Sequence, residues 1–473
     1  MEDTLAQPIA FHRELPSDAL LARIQGPGPR YTSYPTADRF GDGFGADQVR
    51  TLLDERRRAA DGGQRLPLSL YVHIPFCESV CYYCACNKII TKHHERGLPY
   101  VAALECELAL VVDVLGPQRA VSQLHFGGGS PTFLSDGEIS RLMASIRRSF
   151  DVQDDAEISI EVDPRTVTPA RLRHLRAQGF NRISFGVQDF DPDVQKAVHR
   201  EQSFESVRDL MSAARDAGFG SINVDLIYGL PRQTPTSFAR TLEQVADLRP
   251  DRIALYAYAH LPQRFKPQRR IVADELPDGP GRVAMLGSAM AAFRAHGYAY
   301  IGMDHFALPG DELAVAQREG RLHRNFQGYS TQPDCDLVGL GVSAIGRIGN
   351  GYYQNAKTLP EYEEALAQRR LPVARGLLLD DDDRVRRDII MSLMCRGRVE
   401  FEDVRRVHGI DMPAAFASEL ARLAPLRADG FVRVLADAIE VTDSGWYVVR
   451  AIAMVFDRYL NESAERGRFS RIV

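Results

Sequence analysis

From about residue 68 to residue 305, short apolar, β-rich runs alternate with longer stretches of helical period. The runs at 68–74, 122–126, 157–162, 182–187, 221–227 and 252–258 predict strands, and 299–303 predicts a seventh. The amphipathic stretches 135–149, 169–178, 203–217 and 235–248 predict helices between them. Such alternation implies parallel strands joined by crossover helices. Six or so units predict a partial or full barrel; an open doubly wound sheet has the same pattern.

The pattern stops at both ends. Up to about residue 50 there is little apolar periodicity, and Gly26-Pro-Gly-Pro-Arg-Tyr-Thr-Ser-Tyr-Pro35 favours extended chain lying across a larger body. Beyond the barrel, 381–394, 401–407 and 412–422 predict helices, 430–435 and 440–442 a small β-wing, and 446 to about 465 a final helix. The wing reads as a lid or packing module. Polar composition near Arg369 and Asp380 to Asp383 marks a boundary around 360–375. The expected organisation is α/β: an extended segment over the active site (1–50), a partial barrel domain (51–365) and a mostly helical C-terminal domain (366–473).

Residues conspicuous for chemistry fall at the C-terminal ends of the six strands. They are Cys77, Gly127-Gly-Gly-Ser130, Glu161 with Asp163, Gln188, Tyr228-Gly-Leu-Pro231 and Ala259-His260. Barrels and open α/β sheets build their active sites at that end.

The net charge of −5 argues against a broad nucleic-acid surface. No run of about 18 apolar residues exists, so no membrane span is expected. The start, Met-Glu-Asp-Thr, is not a secretory signal. Four of the 7 cysteines crowd together, while Cys106, Cys335 and Cys395 stand alone and read as small core residues. That is not a disulfide framework; it suits a reducing cytoplasm.

The crowded four, Cys77, Cys81, Cys84 and Cys86, make a C-x3-C-x2-C triplet plus one. Three thiolates can hold three irons of a cubane and leave the fourth open to a small molecule; ferredoxin clusters use four ligands at other spacings. The rival is a zinc knot made by all four, which one short loop can hardly wrap around a tetrahedral ion. The glycines of Gly127-Gly-Gly-Ser130 let backbone approach a ligand, or merely turn the chain. On the strand Ile158-Ser-Ile-Glu-Val-Asp163, Glu161 has the parity opposite to Ile158 and Ile160, and can accept from hydroxyls or simply be solvated. Gln188, Asp189, Arg200 and Asp225 are individually weak, although an acid in the apolar run around Asp225 needs a partner. Tyr256 to Arg270, Gly302 to Phe306 and His323 to Gln327 mix aromatics with bases, which suits an anionic, partly apolar substrate or a solvated charged face. His305, directly after a predicted strand, has the better case.

The triplet resembles that of the radical S-adenosylmethionine (SAM) superfamily. Further motifs occur in order: Arg30-Tyr-Thr-Ser-Tyr-Pro35, Tyr71-Val-His-Ile-Pro-Phe-Cys77, Cys84-Ala-Cys86-Asn-Lys88, His125-Phe-Gly-Gly-Gly-Ser-Pro-Thr132, Ser159-Ile-Glu-Val-Asp-Pro-Arg165, Gly186-Val-Gln-Asp-Phe190, Asp225-Leu-Ile-Tyr-Gly-Leu-Pro231, Tyr258-Ala-His-Leu-Pro262 and Gly302-Met-Asp-His-Phe306. Together they resemble the oxygen-independent coproporphyrinogen III oxidases of haem biosynthesis. Cys86 and the Arg30-Tyr31 segment set that family apart from related haem chaperones. Ser130, Tyr83 and Ala85 depart from the family's usual Thr, Phe and Gly, and Arg347 adds a charge near Ile345.

The resemblance implies a partial (β/α)6 radical SAM barrel with a 4Fe-4S cluster on Cys77, Cys81 and Cys84 and not Cys86. It implies SAM contacts, for two SAM molecules, at Tyr71, Tyr83, Ala85, Gly128, Gly129, Ser130, Glu161, Gln188, Arg200, Asp225, Ala259 and Ile345. Arg30, Tyr31 and His305 are the substrate candidates. The implied reaction turns the ring A and B propionates of coproporphyrinogen III into vinyls, giving protoporphyrinogen IX, through a 5′-deoxyadenosyl radical. It needs an electron donor and an electron acceptor that the sequence does not identify, in a cytoplasmic, monomeric enzyme without nucleic-acid partners. The alternatives are a haem-binding chaperone and a haem-degrading or methyl-transferring radical SAM protein on the same barrel.

Overall fold

The computed structural model describes residues 26–63, 67–332 and 334–462, with Ser17 and Leu20. Residues 1–16 of the expected N-terminal segment and 463–465 of the expected last helix lie outside them. Twelve strands form one sheet: β1 (Leu68–Ile74), β2 (Ala120–Gly128), β3 (Asp151–Val162), β4 (Arg182–Gln188), β5 (Ser221–Tyr228), β6 (Arg252–Ala257), β7 (Ala299–Gly302), β8 (His305–Ala307), β9 (Asp336–Leu340), β10 (Ile345–Ile348), β11 (Gly351–Asn355) and β12 (Val373–Leu378). Their order is β12-β11-β10-β9-β1-β2-β3-β4-β5-β6-β8-β7.

β1 to β6 are parallel and each lies beside its predecessor. A doubly wound sheet would reverse direction after a few strands. This one does not, which fits the partial barrel that the alternation predicts. Most crossover helices start on a side-chain cap: Ser135 accepts from Glu138 N, Thr168 from Arg171 N, Ser203 from Ser206 N and Thr234 from Ser237 N.

Parity sorts the strands into two layers. Ile183, Phe185 and Val187 on β4, like Ile158 and Ile160 on β3, are buried in the layer between sheet and helices. The intervening positions face the barrel interior and are polar. Across the register, Ser69 meets Gln123, Tyr71 meets His125, His125 meets Ser159 and Glu161 meets Ser184.

Three expectations need correction. The expected seventh strand forms at Ala299–Gly302, but as an antiparallel edge strand and not as a further parallel one. Gly302, Met303 and Asp304 all have positive φ (131°, 44° and 68°), which turns β7 back against β8 in an antiparallel edge. The last helix is not continuous: a 3-10 turn (Ser444–Val448) leads into Val449–Met454, and a new helix starts at Arg458–Glu462. Asp457 causes the restart, because its carboxylate accepts from Tyr459 N and Leu460 N at 2.9 and 3.3 Å. The stretch 412–422 also breaks, at Phe416, into Met412–Ala415 and Ala417–Arg422. The wing is three-stranded, with Arg398–Glu400 and Val432–Val434 flanking Ala438–Val441.

The sheet continues beyond β1 through β9, parallel to it, and then through antiparallel β10, β11 and β12. β12, at 373–378, therefore belongs to the large sheet although it follows residue 365. The N-terminal segment is held by the C-terminal helices: Tyr31 Oη donates to Asp457 at 2.9 Å, Arg450 Nε to the Pro29 carbonyl at 3.1 Å, and Arg458 N to Tyr34 Oη at 3.3 Å.

Candidate active site

The cysteine loop leaves the C-terminal end of β1 and is tied to the rest of the barrel mouth. Gly129 N donates to Ile74 O and Ser130 N to Phe76 O, both at 2.8 Å, which lays the glycine turn along the loop. The turn needs glycine. Gly128 has φ +112°, and a Cβ there would meet the His73 ring at 2.6 Å; one at Gly129 would meet the Pro75 carbonyl at 2.8 Å. The Gly128 amide goes to Glu161 at 3.2 Å, so all three of these amides are used inside the protein.

Cys81 is buried, Cys77 and Cys84 half-buried, and Cys86 exposed. Two guanidiniums reach Cys81 Sγ, Arg200 at 3.3 Å and Arg165 at 3.6 Å. Both also bind Asp163, at 3.1 and 2.7 Å. Gly186 leaves room for this: a Cβ there would meet the Arg200 guanidinium at 2.9 Å, and Arg200 Nε donates to the Gly186 carbonyl at 3.2 Å. Ser130 Oγ donates to Cys77 Sγ at 3.7 Å. The hydrogen bond from Cys86 and the nearby Lys88 ammonium hold the Cys84 thiol below its usual range, while burial pushes Cys77 up to about 11.

These thiols fit an iron–sulfur cluster. The lowered Cys84 favours thiolate, the form that binds metal. A cavity of about 190 Å³, lined by Cys77, Ser130, Asp163 and Arg165, lies beside them. Among the described residues no three His, Cys, Asp or Glu side chains converge on a single ion, so the zinc knot has no geometric support. A cubane spreads its thiolates over three irons.

Facing the loop across the interior stand two carboxylates. Glu161 lies deep in the barrel yet keeps 45 % side-chain exposure because it faces the open interior. Burial opposes its ionisation, but donors from His125 Nε2 at 3.3 Å and the Gly128 amide hold its carboxyl below the usual range. Asp225 accepts from Ser184 Oγ at 3.0 Å and Asn223 Nδ2 at 2.8 Å. Burial and the Glu161 charge push it up to about 6. Tyr71 stacks on His125 with centroids 5.9 Å apart.

The remaining candidates fall around this ring. Gln188 ends β4 with φ +69°. The carbonyls of Tyr83 and Ala259 are joined by Gln268 Nε2, at 3.0 and 3.1 Å. Ala85 is exposed on the cysteine loop. Ile345 starts β10, and its carbonyl lies over Gly339, the β9 partner of Tyr71. Asp189 is not presented to the interior: Gln233, Thr241 and Asp191 N satisfy it. Arg347 is committed to Asp334 at 2.9 Å. Arg30 reaches in from the N-terminal segment to Asp304 at 3.2 Å and lies 5.0 Å from the Tyr256 ring. Tyr31 is buried with its hydroxyl on Asp457. His305 is kept neutral by burial and by Arg324, which lower it to about 3; its Nδ1 bonds the Met303 carbonyl at 2.7 Å. Sequence reasoning missed Arg165 and Gln268. Arg165 had a signal, two residues beyond a strand-end acid; Gln268, in a loop, had none.

The radical SAM superfamily model matches residues 71–245 and the HemN C-terminal domain model residues 379–448. The oxygen-independent coproporphyrinogen III oxidase of Pseudomonas aeruginosa is 51 % identical over 457 residues, covering 96 % of this chain and 98 % of its own. That of Escherichia coli is 48 % identical over 458 residues, again 96 % and 98 %. The solved structure of the Escherichia coli protein, described as a radical SAM enzyme, superposes with a TM-score of 0.87, covering 91 % of this chain and 97 % of that one.

Proposed function

The chain belongs to the family of oxygen-independent coproporphyrinogen III oxidases, which are radical SAM enzymes, and from that premise we propose how its residues divide the work. The activity is the oxidative decarboxylation of the ring A and B propionates of coproporphyrinogen III to vinyls, giving protoporphyrinogen IX. It uses a 4Fe-4S cluster and SAM. Held on Cys77, Cys81 and Cys84, these would supply the one-electron chemistry that removes a hydrogen from the propionate. Cys86 is not a ligand.

The observation that carries this reading is the pair of guanidiniums on Cys81 Sγ, Arg200 at 3.3 Å and Arg165 at 3.6 Å, facing two carboxylates across the barrel. Arg200 and Arg165 fix the loop and offset its negative charge. Among the described residues Glu161 and Asp225 have no guanidinium or ammonium hydrogen-bond partner, and they would accept from the hydroxyl and ammonium donors of SAM. Tyr71, Gly128, Gly129, Ser130, Gln188 and Ile345, with the Tyr83–Ala85 stretch and Ala259, complete the wall. The candidate contacts run from Ile345 on β10, two strands from β1, to Ala259 after β6, a span that supports room for two SAM molecules. Arg30 orients a propionate by exchanging Asp304 for it, and neutral His305 lines the same side; Tyr31 anchors the segment. We read the protein as acting as a monomer. No described helix is long and apolar enough to cross a membrane. The electron donor and the acceptor are separate reactants.

The test is an anaerobic assay with coproporphyrinogen III, SAM and a reductant. Loss of two CO2 by product mass is expected. A gained methyl, an opened ring, or tight haem binding without turnover would overturn the reading.

A further inference from the structure

A cavity of about 570 Å³ lies between the helix Asp381–Arg396, the helix Phe401–His408 and the short strand His323–Asn325. Pockets of that size enclose whole small molecules. Leu322, Met391, Val404 and Val407 give it apolar walls, and Val407 is 58 % exposed. Its acids are already matched. Asp334 binds Arg347 and Arg387 at 2.9 and 2.7 Å, Asp388 binds His408 at 2.8 Å, and Glu400 and Asp403 bind Arg398 and Arg406.

Two cations are left over. Arg396 bonds only Ser392 Oγ and has no carboxylate partner among the described residues. Arg324 is only 6 % exposed; its Nε donates to the Arg30 carbonyl at 3.3 Å, but its Nη1 is buried without a hydrogen-bond partner. A buried N–H of a charged group left unpaired is costly, and an incoming carboxylate would satisfy it. A narrower cavity continues from the same His323, Arg324, Asp334 and Arg387 to Ser69 and Gln123 on the barrel's inner face.

We propose that this cavity is a second tetrapyrrole site, outside the barrel, which takes a porphyrin-type ring with one carboxylate on Arg324, another on Arg396 and the apolar macrocycle on Met391 and Val407. It rests on the reading that the barrel handles such molecules. Two separate cations beside an apolar wall suit a flat ring with several carboxylates. Arg324 links the site to the substrate path, since it holds the carbonyl of Arg30.

The test is an anaerobic fluorescence titration of the holoenzyme, using coproporphyrin III and protoporphyrin IX as stable stand-ins for substrate and product. Two porphyrins per chain are expected. Arg396→Glu and Val407→Glu, both at exposed positions, should each weaken the second by roughly tenfold or more and leave the first, and Arg396→Lys should keep both. Tighter protoporphyrin IX binding marks a product site, tighter coproporphyrin III a substrate site, and both support the proposal. A single porphyrin per chain, or a second site indifferent to both variants, overturns it. Failure to turn over coproporphyrinogen III would instead overturn the catalytic reading, which the titration does not measure.

Discussion

Glu157 and Glu161 lie on one strand, four residues apart, and both face the barrel interior, yet their surroundings are opposite. Around Glu157 the charges close on themselves. Arg182 lies at 2.9 Å and Arg252 at 4.0 Å, Arg252 binds Asp311 at 2.7 Å, and Gln123 donates at 3.0 Å. Against the penalty of burial, Arg182 and Arg252 hold Glu157 down to about 2. Further along the strand, Glu161 meets, among the described residues, His125 and a backbone amide, and Asp225 nearby is pushed up to about 6. The lower level is a floor that needs no ligand. The upper level has surplus negative charge and suits a ligand that carries positive charge, as SAM does with its sulfonium and ammonium groups.

The largest expected effect separates the two levels outright. Cys77→Ala, Cys81→Ala or Cys84→Ala should abolish iron binding and activity, because a three-ligand site cannot spare one. The apo protein's urea midpoint should hardly move. Cys86→Ala should keep its iron, since Cys86 is exposed and contacts Cys84 alone among the thiols. Iron analysis and the cluster's visible absorption after anaerobic reconstitution decide it; iron lost in Cys86→Ala would mean the wrong ligands.

The floor should answer in the other currency. Arg252→Met leaves Asp311 and Glu157 buried and short of a cation. Breaking such a pair costs about 3–5 kcal/mol. Urea unfolding of the apo protein should show that loss, with iron content after reconstitution unchanged. Equal stability with the cluster gone would mean that the floor belongs to the site.

Arg30 tests where the upper level ends. Arg30→Ala should reduce kcat/KM for coproporphyrinogen III by roughly 10- to 100-fold, since a hydrogen bond to a charged group is worth about 1.5–3 kcal/mol. SAM binding should be unaffected. A matching loss in SAM affinity would place Arg30 in the cofactor site. The single substitution is the cleaner probe, because removing residues 1–35 also removes Tyr31 and Tyr34, whose rings are fully buried.

What was legible follows from which layer a residue serves. The outer face of β1 to β6 packs on helices, so Ile183, Phe185 and Val187 alternate with Arg182, Ser184 and Gly186, and the strands show in the sequence within a residue or two, except that β3 begins at Asp151, six residues before its expected start. The cysteine spacing is local and needs no fold to be seen. β9 to β12 were not legible. They are short, each contains a glycine, and their place in the sheet is set by the pairing of β9 with distant β1, as Tyr71 with Gly339. Arg165 and Arg200 show the same limit. Nothing in the linear sequence says that residues 84 and 119 positions from Cys81 meet its sulfur.

The smallest effect is the sharpest test of the upper level. In Asp225 the folded state raises the carboxyl to about 6 from 3.8, so the native protein binds more protons than the unfolded chain between those values. Native stability therefore falls as pH rises through that window and levels off above it, a cost on the order of 3 kcal/mol. Asp225→Asn removes the charge, and Asn can still accept from Ser184 or Asn223. The variant's gain in unfolding free energy over wild type should be near zero at the acid end, grow as pH rises toward about 6, and then stay constant. SAM affinity should change the opposite way, weakening in the variant most at neutral pH, where wild-type Asp225 is ionised. A gap in stability that does not vary with pH, together with unaltered SAM binding, would mean that Asp225 is satisfied like Glu157 and that the two levels of the barrel do not differ.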